Sequence, residues 1–314
     1  MPDSTVKGGG FSWKTYMRRY GTLYLLLILP LAFFLIFRYY PMQWIALAFK
    51  KNNIIKPLWS VDWAKNNGFE WFIKAYKTKS FRNALANTLI LNFMDLICGF
   101  PAPILLALLL NELTFKRFKK ITQTVLYLPH FLSWIIISGL ATRLLADTDG
   151  MLNILASRLG RETAIPFLSN PSYWRWTYIV LGIWKEAGWG TIIYLAALTS
   201  ISPELYEAAA VDGAGRFRRI WHVTLPGLRP TIVILLIMRM GSILGSEFDR
   251  PLAMSNKLVS DVSNVISIYV YQYGIQGSQY SLTTAVGLFQ SVVGVILLLT
   301  VNSIAKRMGE RGIV

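Results

Sequence analysis

Long apolar runs separated by short polar stretches set the pattern of this chain. The first covers residues 20–40 and closes on Arg38-Tyr39-Tyr40-Pro41, the kind of basic, aromatic end found at a membrane interface. Further runs cover about 84–110, 121–145, 173–198, 228–248 and 282–304. Each is close to the roughly 20 residues an α-helix needs to cross a bilayer. The pattern predicts an all-α membrane protein with six transmembrane helices. Pro101 and Pro103 lie inside the second run and predict a kink there, and Pro129 lies inside the third. Between the fifth and sixth runs a polar, aromatic loop is expected to reach Tyr280.

Composition agrees. Of the 314 residues, 54% are hydrophobic and only 15% charged, and the mean hydropathy is +0.44. Ordinary soluble domains carry roughly 25% charged residues, so a soluble globule is excluded. The net charge of +16 would suggest nucleic acid in a soluble protein. Here the cations flank the runs, as in Lys116-Arg117-Phe118-Lys119-Lys120 and Lys306-Arg307, where they favour the cytoplasmic side and face anionic lipid. No nucleic-acid partner is expected, and both termini are placed in the cytoplasm. The extracytoplasmic segment 41–83 departs from this rule, since eight Lys and Arg between 41 and 82 face only Asp62 and Glu70. It reads either as an interfacial segment on lipid phosphates or as an attractor for an acidic substrate or an acidic patch on a partner. The first run is long for a secretory signal and no small-x-small cleavage site closes it, so it reads as a span. Cys98 is the single cysteine and cannot form an internal disulfide. His130 and His222 lack metal-ligand spacing. With no P-loop, GxSxG or dinucleotide motif, no metal, cofactor or catalytic residue is expected in this chain.

The polar stretch 200–227 between the fourth and fifth runs carries the densest helix signals. Ser202-Pro203-Glu204 reads as a helix start: a capping hydroxyl, a proline suited to the first position and an acid at the positive dipole end. Leu205, Ala208, Ala209 and Val211 give a small apolar face, and Gly213 a stop. A second short helix follows Gly215, with Phe217, Ile220 and Trp221 on one face and Arg216, Arg218 and Arg219 on the other. Leu225-Pro226 is expected to end it. Such a helix–turn–helix fits insertion into a partner's groove or packing against its own spans, and the residue pattern leaves both open.

Glu207-Ala208-Ala209, Asp212-Gly213-Ala214, Ile220 and Leu225-Pro226 resemble the EAA motif of binding-protein-dependent ABC importer permeases. The family pattern is EAA, three residues, Gly, about nine residues, then I-x-LP; Ile220 falls early for it. Over most of the chain, including QTVLYLPHFLSW and YSLTTAVGLFQSVV, the sequence resembles LplB-type polysaccharide or oligosaccharide permeases. The resemblance implies a MetI-like type I permease core over 84–305 in a bacterial cytoplasmic (inner) membrane, with cytoplasmic tails at 1–19 and 306–314. It also implies a homologous second permease, two ATPase subunits holding ATP and Mg, and an extracytoplasmic substrate-binding protein. Carried over by position, Glu207 and Gly213 are the main ATPase-coupling residues and Ala208, Ala209 and Asp212 shape the contact. Ala214, Arg216, Phe217, Leu225 and Pro226 complete the expected set.

Polar groups at membrane depth are functional candidates, so the substrate path is expected to use Asn92, Asp95, Lys185, Glu186, Arg239 and Gln290. Trp134, Trp184 and Trp189 are candidates to stack on sugar rings. The competing reading pairs Glu186 or Asp95 with Lys185 or Arg239 to hold the bundle together. Gly182, Gly188, Gly190, Gly241 and Gly245 are expected to allow close helix approach. Two other classes remain in view: a membrane-embedded glycan-processing enzyme, whose nearest signal is Asp147-x-Asp149, and a secondary transporter, which would usually show inverted repeats that are not evident here.

Overall fold

The computed structural model describes residues 13–53, 55–245, 247–310 and 312–313. The glycine-rich stretch 1–12 and the tail residue Arg311 lie outside the described residues. Among the described residues the secondary structure is helical, with one isolated antiparallel bridge, Lys50 to Trp63. Helix α1 covers Trp13–Phe34 and continues through a π-turn, Leu35–Tyr39, to Phe49. Helices α2 (Glu70–Lys77) and α3 (Lys79–Met94) lead through a π-turn, Asp95–Gly99, into α4 (Pro101–Asn111). Then come α5 (Lys116–Tyr127), α6 (Trp134–Leu145), α7 (Met151–Arg158) and α8 (Pro171–Leu198). Helices α9 (Pro203–Val211), α10 (Arg216–Arg219) and α11 (Leu225–Gly241) follow, then α12 (Asp249–Met254), α13 (Ser260–Ser263), α14 (Ile266–Val270) and α15 (Tyr280–Arg307).

All six apolar runs are helical. Four form helices long and apolar enough to cross a membrane: 16–49, 79–111, 216–241 and 280–307. Helix α8 has 28 residues, about 42 Å at 1.5 Å per residue, but Arg175, Lys185 and Glu186 lower its hydropathy. Its start follows from sequence: Pro171 takes the first turn, and Asn170 Oδ1 accepts from the N–H groups of Ser172 (2.9 Å) and Tyr173 (3.4 Å).

Three expectations change. The third run is not one rod: α5 and α6 meet at 101°. Pro129 supplies no N–H, Leu128–Phe131 tightens into a 3₁₀ turn, and Ser133 Oγ caps α6 by accepting from Ile136 N at 3.3 Å. The second run stays one helix over 79–111, and its irregularity is the π-turn at Asp95–Gly99, just before Pro101 and Pro103. The fifth helix ends at Gly241, short of 248, and the stretch to Tyr280 is not an exposed loop. Val259, Val265, Ile266 and Tyr269 are fully buried there. These short apolar pieces, interrupted by Pro251, Asn256 and Asn264, are too short to span the bilayer, yet they bury their apolar faces against α3, α8 and α15.

The packing falls into three clusters. One joins Leu91, Trp134, Trp174, Ile179, Met254 and Val262. A second joins Phe81, Ala84, Ile266, Tyr269, Leu282 and Val286. The third, at the other end of the long helices, joins Leu108, Tyr194, Leu198 and Leu228. Gly188 permits one of the tightest crossings, because a Cβ there would overlap the backbone of Leu126 on α5. The apolar window of the first span, by contrast, has none of its residues buried.

Segment 41–83 is also packed. Lys50 is buried: its Nζ donates to Val61 O at 2.9 Å and stands 5.6 and 5.7 Å from the ring centres of Trp59 and Trp63. Trp71 Nε1 donates to Lys50 O at 2.8 Å. Lys51 Nζ donates to Asp62 at 3.1 Å, which holds that carboxyl below its ordinary range. Asn52 ties the segment to the start of α15 through Ser278 O (3.0 Å) and Ser281 N (3.2 Å). Two of the eight cations thus have local structural roles.

Candidate functional site

Between the apolar clusters lies a polar cavity of about 290 Å³, bounded by Asp95, Glu186, Trp189, Arg239, Glu247 and Arg250 among others. Asp95 opens the π-turn, pairs with Arg239 of the fifth span, and stands 3.7 Å from Arg250 Nη1. Arg250, from α12, is buried. Its Nη2 donates to Tyr178 O at 2.5 Å, and its guanidinium lies over the Tyr178 ring at 3.7 Å and the Trp134 ring at 5.1 Å. Gly182 makes this possible, because a Cβ there would overlap the guanidinium.

The other wall is built on the break in the third span. That break frees the carbonyl of His130, and Lys185 Nζ donates to it at 2.6 Å while standing 3.2 Å from Glu186. His130 Nδ1 lies 2.8 Å from the other oxygen of Glu186, and its ring stacks on Trp189, 4.5 Å apart and nearly parallel. Asp95, Glu186 and Glu247 therefore face Lys185, Arg239 and Arg250. This balance explains how charges persist at membrane depth, where an unpaired one is costly. It also leaves a polar, hydratable space inside an apolar bundle. A void of about 40 Å³ continues along α3 past Asn92 and Thr88.

The sequence-derived path residues divide. Asp95, Glu186 and Arg239 line the cavity and Lys185 braces its wall. Asn92 lines the smaller void and donates to Ile243 O at 2.8 Å, while Gln290 donates to Leu244 O at 2.5 Å. Both thus satisfy carbonyls freed where α11 stops. Trp134 is buried beneath Arg250 and Lys185. Trp184 lines a different, apolar cavity of about 540 Å³ beside α6. The ion pairs Asp95–Arg239 and Lys185–Glu186 are those of the bundle-holding reading. Sequence reasoning missed Arg250, Glu247 and His130. Glu247 sits at the last turn of the expected fifth run and Arg250 just beyond it, and nothing in periodicity brings that stretch back into the bundle. The signal for His130 was Pro129, which predicts freed carbonyls beside it. Asp147 accepts from Ser169, and no group of three or more metal-ligating side chains occurs among the described residues.

The polar loop at the other end has the predicted start. Ser202 Oγ accepts from Glu204 N at 3.3 Å. Its turn is a Schellman motif: Ala214 N donates to Ala209 O (2.8 Å), Gly213 N donates to Ala210 O (3.1 Å), and Gly213 takes φ +74°. Leu225-Pro226 does not end the second helix. Residues 216–241 run as one helix through a π-turn, Ile220–Thr224, in which Leu225 N donates to Ile220 O. Pro226 follows immediately, in the first turn of α11, where its missing donor is tolerated. Ile220 packs into the core cluster of Leu108 and Tyr194. Val223, separated from Gly213 by nine residues, occupies the motif position that Ile220 was expected to fill. Tyr206 Oη donates to Thr224 Oγ1 at 3.1 Å and fixes α9 on the π-turn.

What the loop leaves outside is unusual for water-facing surface. Val211 and Phe217 are each 89% exposed and Trp221 is 70% exposed. Glu207, Ala208, Asp212, Gly213, Arg216 and Pro226 are exposed as well, whereas Ala209, Ala214 and Leu225 are half-buried. A rigid arm carrying free aromatic and acidic groups has the composition of a contact surface.

Comparison with known proteins agrees with this architecture. The family model described as the binding-protein-dependent transport system inner membrane component matches residues 80–310. The chain is 44% identical to Protein LplB of Bacillus subtilis over 306 residues, covering 98% of this chain and 95% of that one. It is 43% identical to the polygalacturonan/rhamnogalacturonan transport system permease protein YteP of the same organism, covering 93% and 89%. Its fold is similar to a chain in the crystal structure of a bacterial ABC transporter involved in the import of the acidic polysaccharide alginate. There the TM-score is 0.83 and the identity 40%, covering 94% of this chain and 98% of that chain. The bacterial alginate ABC transporter in complex with an alginate pentasaccharide-bound periplasmic protein gives a TM-score of 0.86 at 39% identity, covering 96% and 99%. The chain belongs to the family of inner membrane components of binding-protein-dependent transport systems and has the MetI-like permease fold, that of a membrane-embedded ABC transporter permease.

Proposed function

We propose that this chain is one of two permease subunits in an ATP-driven importer of oligosaccharides or polysaccharides, acidic glycans among them. The polar cavity is its share of the translocation path. The observation that carries the reading is the exposed arm around Glu207–Phe217, rigidly joined to the fourth and fifth spans through α8 and α11. Two ATPase subunits binding ATP and Mg would receive the arms of the two permeases. Their closure would draw the arms together, tilt the attached spans and change the side to which the cavity opens. Glu207 and Gly213 are the main coupling groups, supported by Ala208, Ala209, Asp212, Ala214, Arg216, Phe217, Leu225 and Pro226. A substrate-binding protein delivers the glycan to the extracytoplasmic face, and both termini lie in the cytoplasm of a bacterial cell. The substrate class is supported by relatives named for polygalacturonan and rhamnogalacturonan transport and by neighbours that import alginate.

The test is Glu207→Lys in the assembled importer. Loss of a central interface group costs about 2 kcal/mol or more, so docking should weaken about thirtyfold or more. Substrate-stimulated transport should disappear while the chain still inserts in the membrane. Normal coupling in this variant would overturn the role of the arm.

A further inference from the structure

Three cavities follow one another along the second span. The central cavity touches Asp95, Gly99 and Pro103, and the small void touches Thr88, Leu91 and Asn92. A third, a notch of about 360 Å³ lined by Lys79, Ser80, Asn83, Ser260, Asp261 and Asn264, sits at the start of α3. Residues 80, 83, 88, 91, 92, 95, 99 and 103 carry these linings in order along the second span. From 80 to 103 they extend about 35 Å at 1.5 Å per residue, close to a bilayer's width. The notch is separated from the small void by a polar clasp. Asn87 Nδ2 donates to Asp261 O (2.7 Å) and Asn264 O (3.0 Å), and Ile266 N donates to Thr88 Oγ1 (2.9 Å).

We propose that this notch is a saccharide subsite at the outer end of the path, taking one hydroxyl-bearing sugar ring before it passes the Asn87 clasp. The inference rests on the proposed function, which supplies the substrate class and the orientation. The chemistry of the lining supports it. The six side chains that line the notch are all polar or charged, so an acyl chain or an aromatic anchor finds nothing to bury against. Lys79 and Asn83 offer donors, and Asp261 and Asn264 offer acceptors. The Oδ1 of Asn264 is buried without a hydrogen-bond partner among the described residues, a costly state that turning the amide towards a hydroxyl in the notch would relieve. A sugar ring presents hydroxyls that donate and accept at adjacent positions and matches such a mixed lining. One cation and one anion face the notch, so it selects for hydroxyls, and glycan charge is read elsewhere. Its volume falls within the range of ligand pockets, roughly 300–1,000 Å³.

The test uses the complete importer in proteoliposomes, with oligogalacturonide, alginate pentasaccharide and arabino-oligosaccharide as probes, each presented on its binding protein. Asn264→Leu should raise the half-saturating concentration of liganded binding protein about three- to tenfold, the worth of one hydrogen bond. Asn264→Asp, which keeps an acceptor oxygen, should return it towards the wild-type value. Assembled complex is quantified for each variant, and Asn83→Leu provides a second reading if Asn264→Leu fails to assemble. Unmoved half-saturation, or a lower maximal rate alone, would overturn the subsite. An equal weakening of unliganded binding-protein docking would also overturn it, by making the notch a protein contact. A wild-type importer that responds to none of the three probes would instead sink the proposed substrate class, and the subsite with it.

Discussion

Arg250 shows how much a single position can depend on another far away in the chain. Its guanidinium occupies the space that Gly182 leaves empty, between Tyr178 and Asp95. Gly182→Val is therefore expected to destabilise the protein by about 1–3 kcal/mol, the usual cost of overpacking, and to reduce transport. Thermal unfolding of the purified protein measures this, and adding Arg250→Ala should recover part of the loss. Wild-type stability for Gly182→Val alone would refute the packing argument. At this scale the sequence was partly legible. Asp95, Glu186 and Arg239 stood out because charges in apolar runs are costly. Arg250 stood in a stretch that reads as water-facing, so its charge raised no question there.

Among elements, the broken third span matters most for the cavity. Lys185 is the group that satisfies the carbonyl freed at the break. Lys185→Met should leave His130 O without its donor and Glu186 without its neighbouring cation. Exchange of amide hydrogens in peptides covering 116–145 should then rise roughly tenfold or more; an unchanged exchange profile would show that the bend is held by packing alone. Apolar runs and the capping residues of the polar loop were legible: Ser202 and Gly213 do what their types suggest. The 101° bend was not, because Pro129 marks a break but does not set its angle. The folding of 249–276 into the bundle was also hidden. Its apolar pieces are buried by tertiary contacts across more than 150 positions of chain, such as that between Asn87 and Asn264, which no local window contains.

For the molecule as a whole, the first span is the exception. It carries exposed Leu25, Leu26, Leu29, Phe33 and Phe37 and buries none of its apolar window on its own chain. Lipid can cover that face, and so can a neighbouring subunit. A tagged copy expressed with its native partners is expected to co-purify with a second permease and an ATPase. Recovery of a transport-active lone chain would defeat the proposed assembly. The helical class and the six apolar runs could be read from hydropathy alone. The way the runs enclose a charge-balanced cavity could not, because pairing is fixed by contacts between distant spans.

The π-turn at Ile220–Thr224 places a constraint of phase on this chain. A turn of that kind holds one residue more than an α-turn. Deleting a single residue from it would rotate everything before it by about 100° around the axis of α11, since one α-helical residue turns that far. Phe217 and its arm would then point along a different bearing, with every side chain still present. Between Glu207 and Pro226 the number of residues is therefore held more tightly than their identity. Homologous chains should accept substitutions there more readily than insertions or deletions.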